Sequence, residues 1–256
     1  MRIEVFTICW NEMSILPFVV DYWRRFAGHV TVYDNGSTDG SVEYLEGLGD
    51  FVTVRHFDTG GRKDNDAQSR LKSECWKEAR VRADLVCVCD LDELLYFQSD
   101  AASRMLRSGA TICEPVWYEL VGDGQTECTA GKLLHEVSPM AALCRVSPRM
   151  PAPSKAVLFD PNKITEINYG PGAHHCEPKG EVRWYSGDIY VLHINNALSL
   201  DYKISRYRQQ RGRLSEADKK KGYGVHYGMT EQQIRADWQR ARQRAVDFSQ
   251  VVNPRL

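Results

Sequence analysis

Asp90 and Asp92 stand one residue apart where an apolar run, Leu85-Val86-Cys87-Val88-Cys89, gives way to Asp90-Leu91-Asp92-Glu93. The alternation of that run predicts a strand that delivers both acids at its end. Two carboxylates so placed can share a hard cation and leave positions open for phosphate oxygens. The plainer alternative is a solvated acidic turn after a buried strand. A second polar segment, Asp34-Asn35-Gly36-Ser37-Thr38-Asp39-Gly40, has short side chains and two glycines that let backbone N–H groups and carboxylates face a ligand. Its alternative is an ordinary strand-to-helix connection capped by Ser37 or Asp39.

Histidine supplies the remaining metal-ligating candidates. Tyr190-Val191-Leu192-His193-Ile194 sets His193 in an apolar, strand-like run, where a satisfied core histidine is the commoner outcome. His174 and His175 are adjacent, so on a strand they would point to opposite faces and at most one would reach a given ion. Cys87 and Cys89 have the spacing of zinc ligands, but their alternation with Val86 and Val88 reads as strand.

These residues need elements to position them. Ile3 to Cys9 is β-rich and runs into Asn11-Glu12-Met13-Ser14, where Ser14 can cap a helix reaching Phe26 with Pro17 in its first turn. His29 to Tyr33 predicts a second strand, and a short helix through Leu45 and Leu48 follows. Phe51 to Arg55 predicts a third strand, Asp66 to Arg82 a helix with Leu71, Cys75 and Ala79 on one face, and Leu85 to Cys89 a fourth strand. Such alternation predicts an α/β fold with a mainly parallel sheet flanked by helices, whose ligands gather at the carboxyl ends of the strands. Further on, Thr111 to Trp117 and Ala156 to Phe159 are strand candidates. A helix is expected over Ser199 to Arg211, and another, opened by a Thr230/Gln233 capping box, to Phe248. Residues 212–229 between them read as a loop.

Composition narrows the class. With 43% hydrophobic and 26% charged residues the chain is globular, neither disordered nor fibrous. No apolar run approaches the ~20 residues of a membrane span, and no charged leader precedes the first apolar stretch, so a cytoplasmic location is expected. Eight cysteines without a CxxC pair predict reduced, mostly buried thiols. The net charge of −1 hides an asymmetry: residues 199–256 carry 13 Lys or Arg against 6 Asp or Glu. That tail is either a solvated helical face or a surface for an anionic acceptor, a diphosphate or the inner face of a membrane, the last as a peripheral contact. Nucleic acid is not an expected partner, because the body is acidic and no recognised module is visible.

Taken together, Thr7-Ile8-Cys9-Trp10-Asn11-Glu12, Asp34 to Gly40 and Asp90-Leu91-Asp92-Glu93-Leu94-Leu95 resemble family-2-like glycosyltransferases in order and spacing, over about the first 100 residues. The resemblance implies a GT-A fold, with a transferase domain over 1–197 (nucleotide-binding half 1–100, acceptor half 101–197) and a basic helical extension over 198–256. It implies transfer of a sugar from a nucleotide-diphosphate donor, with a UDP-sugar favoured, to a glycan or lipid-linked acceptor. Thr7, Cys9 and Glu12 would line the nucleotide pocket, Asp34 would contact the base or ribose, and Arg62, Lys63 and Gln68 would complete the pocket. Asp92 would be the main ligand of Mn2+ or Mg2+, with Asp90 near the ribose or a metal-bound water, and His193 would match the late histidine of the family. Family-2-like enzymes usually invert the anomeric centre, which requires a carboxylate base; Glu119 and Asp123 occupy the place where acceptor-binding residues usually begin. Trp117 and Tyr118 beside them would stack on a sugar or simply fill the core.

Two rivals are a non-catalytic sugar- or nucleotide-binding module of the same fold and a sugar-phosphate nucleotidyltransferase. Both acids of the DxD argue against the first. The absence of a Gly-rich, Arg- and Lys-bearing loop after the first strand argues against the second.

Overall fold

A computed structural model describes residues 1–97, 100–123, 140–143 and 155–247. In chain order the strands are β1 Ile3–Cys9, β2 Ala27–Asp34, β3 Val52–His56, β4 Leu85–Val88, β5 Glu93–Phe97, β6 Ile112–Cys113, β7 Val116–Val121, β8 Met140–Leu143, β9 Leu158–Phe159, β10 Ile164–Glu166, β11 Lys179–Gly180, β12 Trp184–Tyr185, β13 Ile189–Asn196 and β14 Val246–Asp247. The α-helices are α1 Leu16–Trp23, α2 Ser41–Glu46, α3 Asn65–Glu74, α4 Ala101–Arg107, α5 Leu200–Arg213, α6 Glu216–Lys221 and α7 Glu231–Arg244.

Seven strands form the first sheet in the order β12-β6-β9-β4-β1-β2-β3. β3, β2, β1 and β4 are mutually parallel and only β9 runs against its neighbours, so the sheet is mainly parallel as the strand–helix alternation predicts. The chain order reverses between β1 and β4, and a crevice opens at such a switch point beyond the carboxyl ends of the strands. The central strands are apolar because both faces are covered: Val5, Val30, Val32 and Leu85 are fully buried.

A second sheet, β14-β8-β7-β13-β5, stands beside the first. The expected strand over Thr111 to Trp117 divides into β6 and β7, one in each sheet. The break falls at Glu114-Pro115, and proline cannot donate to a ladder. β5 follows the DxD acids directly and pairs with β13, Glu93 facing His193, while β7 pairs with the other edge of β13, Glu119 facing His193.

Several helix boundaries differ from the sequence reading. α1 starts after Ile15 with no side-chain cap, so Ser14 does not cap it, and it ends at Trp23. The helix expected to Arg82 stops at Glu74 and continues as a 3-10 turn, Cys75–Ala79; the tighter pitch turns Cys75, Trp76 and Ala79 inward, where Trp76 packs edge-on against Phe159. Residues 212–229, read as a loop, contain α6 and a 3-10 turn at Val225–Gly228. α6 has no apolar stripe to reveal it. Its local signals are complete all the same: Ser215 caps it, Glu216 and Asp218 open it, three lysines close it, and Gly222 at φ 72 terminates it. The Thr230/Gln233 capping box forms as predicted, and α7 ends at Arg244 rather than near Phe248, which lies outside the described residues.

Candidate active site

The carboxyl ends of β1, β2 and β4 lead into Trp10, Asn35 and Asp90, which line one wall of a cleft of about 600 Å³. The opposite wall comes from the C-terminal segment: Arg206, Tyr207, Gln210 and Arg213 of α5, and Tyr223, His226 and Tyr227 beyond α6. Residues 61–66 and 213–227 are stitched together to make this wall. Lys63 N–H donates to the Arg213 carbonyl at 2.8 Å, Ser215 N–H donates to the Lys63 carbonyl at 3.0 Å, and buried Asp218 accepts from the Asn65 side chain at 2.9 Å.

At the cleft floor the acids divide their roles. Asp90 is held by Lys72 and by Lys155, whose Nζ lies 3.2 Å from Oδ2. Burial would raise the Asp90 pKa, but the two ammonium groups outweigh it and hold the carboxyl well below its usual range. Lys155 is 1% exposed and also grips Glu93 at 2.5 and 2.6 Å, and Glu93 Oε2 in turn accepts from the Asp90 N–H. Asp92, its side chain 39% exposed, instead faces His193, with Oδ2 3.2 Å from Nε2.

His193 is fixed from behind. Its Nδ1 lies 2.8 Å from Glu119 Oε2, and Glu119 Oε1 accepts from the Asn196 N–H at 2.9 Å. Burial favours the neutral imidazole, but Glu119 and then Asp92 raise its pKa well above the ordinary value. Asp90, Asp92, Glu93 and Glu119 thus bring four carboxylates against the two ammonium groups of Lys72 and Lys155 and the imidazolium of His193, so the cluster keeps an excess of negative charge.

The other expected residues fall in distinct places. Glu12 lines the cleft, paired with Arg206 and bonded by the Tyr202 hydroxyl at 3.2 Å; Lys63 lines it with Nζ 2.7 Å from the Tyr227 hydroxyl; Gln68 and His174 line it as well. Thr7, Cys9, Asp34, Arg62, Glu119 and Asp123 lie outside the cleft lining. Asp34 is buried and accepts from the N–H groups of Gly36 and Ser37 at 2.9 and 3.0 Å. The loop after it is bolted to the loop after β1: Ser37 Oγ accepts from Asn11 N–H, Asp39 from Met13 N–H and Ser41 Oγ from Glu12 N–H. These polar side chains hold one rim of the cleft in shape.

Solved structures similar to this chain include Staphylococcal and mycobacterial proteins. S. aureus TarS shares 12% identity over 81% of this chain and 40% of that chain, with a TM-score of 0.43. Glucosyl-3-phosphoglycerate synthase from Mycobacterium tuberculosis, in complex with Mn2+, UDP and phosphoglyceric acid, shares 16% over 67% of this chain and 60% of that chain, with a TM-score of 0.37. This chain therefore spans less than two thirds of either of those. No family model matches it, and no curated protein sequence does. Likenesses this slight do not bear on activity.

Basic residues of the tail turn out to serve that cleft. Arg206 sits over the Trp10 ring at 5.2 Å and Arg213 over the same ring at 3.6 Å. Burial lowers both guanidinium pKa values to about 10, which leaves them charged at neutral pH. Lys72, Lys155, Gln210 and Tyr227 carry no motif, and sequence reading misses them, whereas Glu93 stands inside the Asp90-to-Leu95 motif without a role of its own; only the periodicity of Arg206, Gln210 and Arg213 along α5 could have marked one face.

Proposed function

We propose that the protein is a glycosyltransferase of the GT-A kind, moving a sugar from a nucleotide-diphosphate donor, a UDP-sugar by preference, to a hydroxyl of a glycan or lipid-linked acceptor. The observation that carries this reading is the Asp92–His193 pair, backed by Glu119 and open to a cleft at the switch point of a parallel sheet. Such a pair fits a divalent cation, Mn2+ or Mg2+. Its 3.2 Å O–N separation is close to the edge of an octahedron with bonds of about 2.1 Å, which is roughly 3 Å. Surplus negative charge favours the ion, and a carboxylate behind a ligating histidine is the usual support for one. Among the described residues no three His, Cys, Asp or Glu side chains converge to hold a metal. Asp92 and His193 would hold the ion from the described part of the chain, with other positions open to phosphate and water. When bound, the cation would neutralise charge gathering on the diphosphate as it leaves.

The chain's own groups do the rest. Glu119 fixes the imidazole with Nδ1–H toward itself and leaves Nε2 facing the cleft. Lys63, Arg206 and Arg213 set positive charge on the opposite wall, preorganised by Tyr227, Glu12 and Trp10. Asp90, already neutralised by two lysines, acts as an acceptor for a ribose hydroxyl or an ordered water rather than as a metal ligand. Inversion requires a carboxylate within reach of the acceptor hydroxyl. Of the two acids the sequence offers for that role, Glu119 backs His193 and Asp123 lies just past β7, outside the cleft lining. Among the described residues no helix is long and apolar enough to cross a membrane. Exposed Lys219 and Lys220 on α6 are where an anionic acceptor or lipid surface would be met.

Slow hydrolysis of a panel of UDP-, GDP-, CMP- and dTDP-sugars with and without Mn2+ tests the reading. Metal-dependent turnover of one nucleotide class is expected; no binding or turnover of any nucleotide-sugar would contradict it.

A further inference from the structure

Gln210 sits in the middle of the α5 wall, one turn from Arg206 on one side and Arg213 on the other, and all three line the cleft. It is 7% exposed, and its carbonyl oxygen Oε1 is buried without a hydrogen-bond partner. A buried acceptor left unmet is costly, and native proteins seldom keep one unless something else meets it. Here the neighbours cannot be ignored. Arg206 is committed to Glu12 and to the carbonyl of Trp10, and Arg213 Nε donates to the Gly61 carbonyl, so both guanidinium groups are already oriented by protein. The carboxamide is the member of the stripe whose partner is absent.

We propose that Gln210 is a donor-recognition residue whose carboxamide turns about its terminal torsion on binding, so that Oε1, closed to solvent in the free protein, pairs with a hydroxyl of the nucleotide-sugar while Arg206 and Arg213 face the diphosphate. This rests on the glycosyltransferase reading above. The chemistry is complementary: two guanidinium groups meet an anion, and a neutral acceptor between them meets an O–H that the anion carries. Gln210 would therefore add affinity to the bound state while leaving the free protein with an unmet acceptor, a residue kept for its ligand at the expense of stability.

Gln210→Met keeps the length of the side chain and removes the amide. Binding of UDP and of UDP-glucose with Mn2+ would be measured by calorimetry for the wild type, for Gln210→Met and for Arg211→Ala, an exposed residue of the same helix, alongside thermal unfolding of the free proteins. Loss of one neutral hydrogen bond corresponds to a fall in affinity of about three- to tenfold. The proposal expects that fall for Gln210→Met with an unfolding midpoint equal to or above the wild type, and no change for Arg211→Ala. A fall for both ligands assigns the hydroxyl to ribose; a fall for UDP-glucose alone assigns it to the sugar. Unchanged affinity overturns the proposal, and so does a fall accompanied by a lowered unfolding midpoint, which marks a structural role. If the wild type binds neither ligand, the donor reading itself fails, a different result from a binding wild type with an unaffected variant.

Discussion

Lys155 governs the charge of the acidic strand end, because its ammonium group is buried and contacts both Asp90 and Glu93. Lys155→Met would leave those carboxylates without their principal counter-ion and should cost about 3 kcal/mol of stability, measured by denaturant unfolding. Adding Glu93→Gln should return a good part of that loss; a single variant as stable as the wild type would refute this view of the cluster. At the same scale Glu119→Gln should weaken Mn2+ binding about tenfold or more without unfolding the protein, since it loosens the histidine rather than removing a ligand. Unchanged Mn2+ affinity would deny Glu119 that role. The acids at 90 and 92 were legible in the sequence because spacing and strand periodicity announce them. Their opposite environments were not, since Lys72 and Lys155 arrive from segments with no motif. The pairing of Asp92 with His193 was legible only as a resemblance, because it depends on the register of β5 against β13, and β5 itself was hidden behind the acidic turn.

Elements set that register, and one of them is held under strain. Val81 is 98% exposed at φ 60, in the left-handed region that a β-branched residue adopts at a cost of about 1–2 kcal/mol. The turn persists because Val81 N–H donates to Asn162 Oδ1 at 2.7 Å and ties the end of the 3-10 turn to the start of β10. Val81→Asn suits that conformation and should raise stability by about 1 kcal/mol in equilibrium unfolding; a lower midpoint would show that the valine has packing worth more than the strain. The strands β1 to β4 and the capping box of α7 were readable from alternation and cap chemistry. The 3-10 continuation of α3 and the division of β6 from β7 follow from tertiary packing and from Pro115, and the sequence marks only the second.

Across the whole molecule, the C-terminal segment that composition sets apart as a basic tail is one wall of the cleft, so its charge answers the acidic floor instead of merely solvating a helix. The body that carries it is sealed: Cys9, Cys75 and Cys113 are buried, and burial pushes each thiol up to about 12. In the native protein at mildly alkaline pH these three should resist alkylation until the chain is denatured, as peptide-resolved mass spectrometry would show; prompt labelling of any of them would mean that the core opens. Cys128 and Cys144 lie outside the described residues. The α/β class was legible in the alternation of the first 90 residues, whereas closure of the cleft by α5 was not, because a stripe of Arg and Gln looks the same whether it meets water or a ligand. The most direct test of the whole account is Mn2+-dependent hydrolysis of a UDP-sugar by the wild type and by Asp92→Ala. Turnover that requires the metal and is lost in the variant, with its fold intact by circular dichroism, is the predicted result; turnover indifferent to both Mn2+ and Asp92 would contradict it.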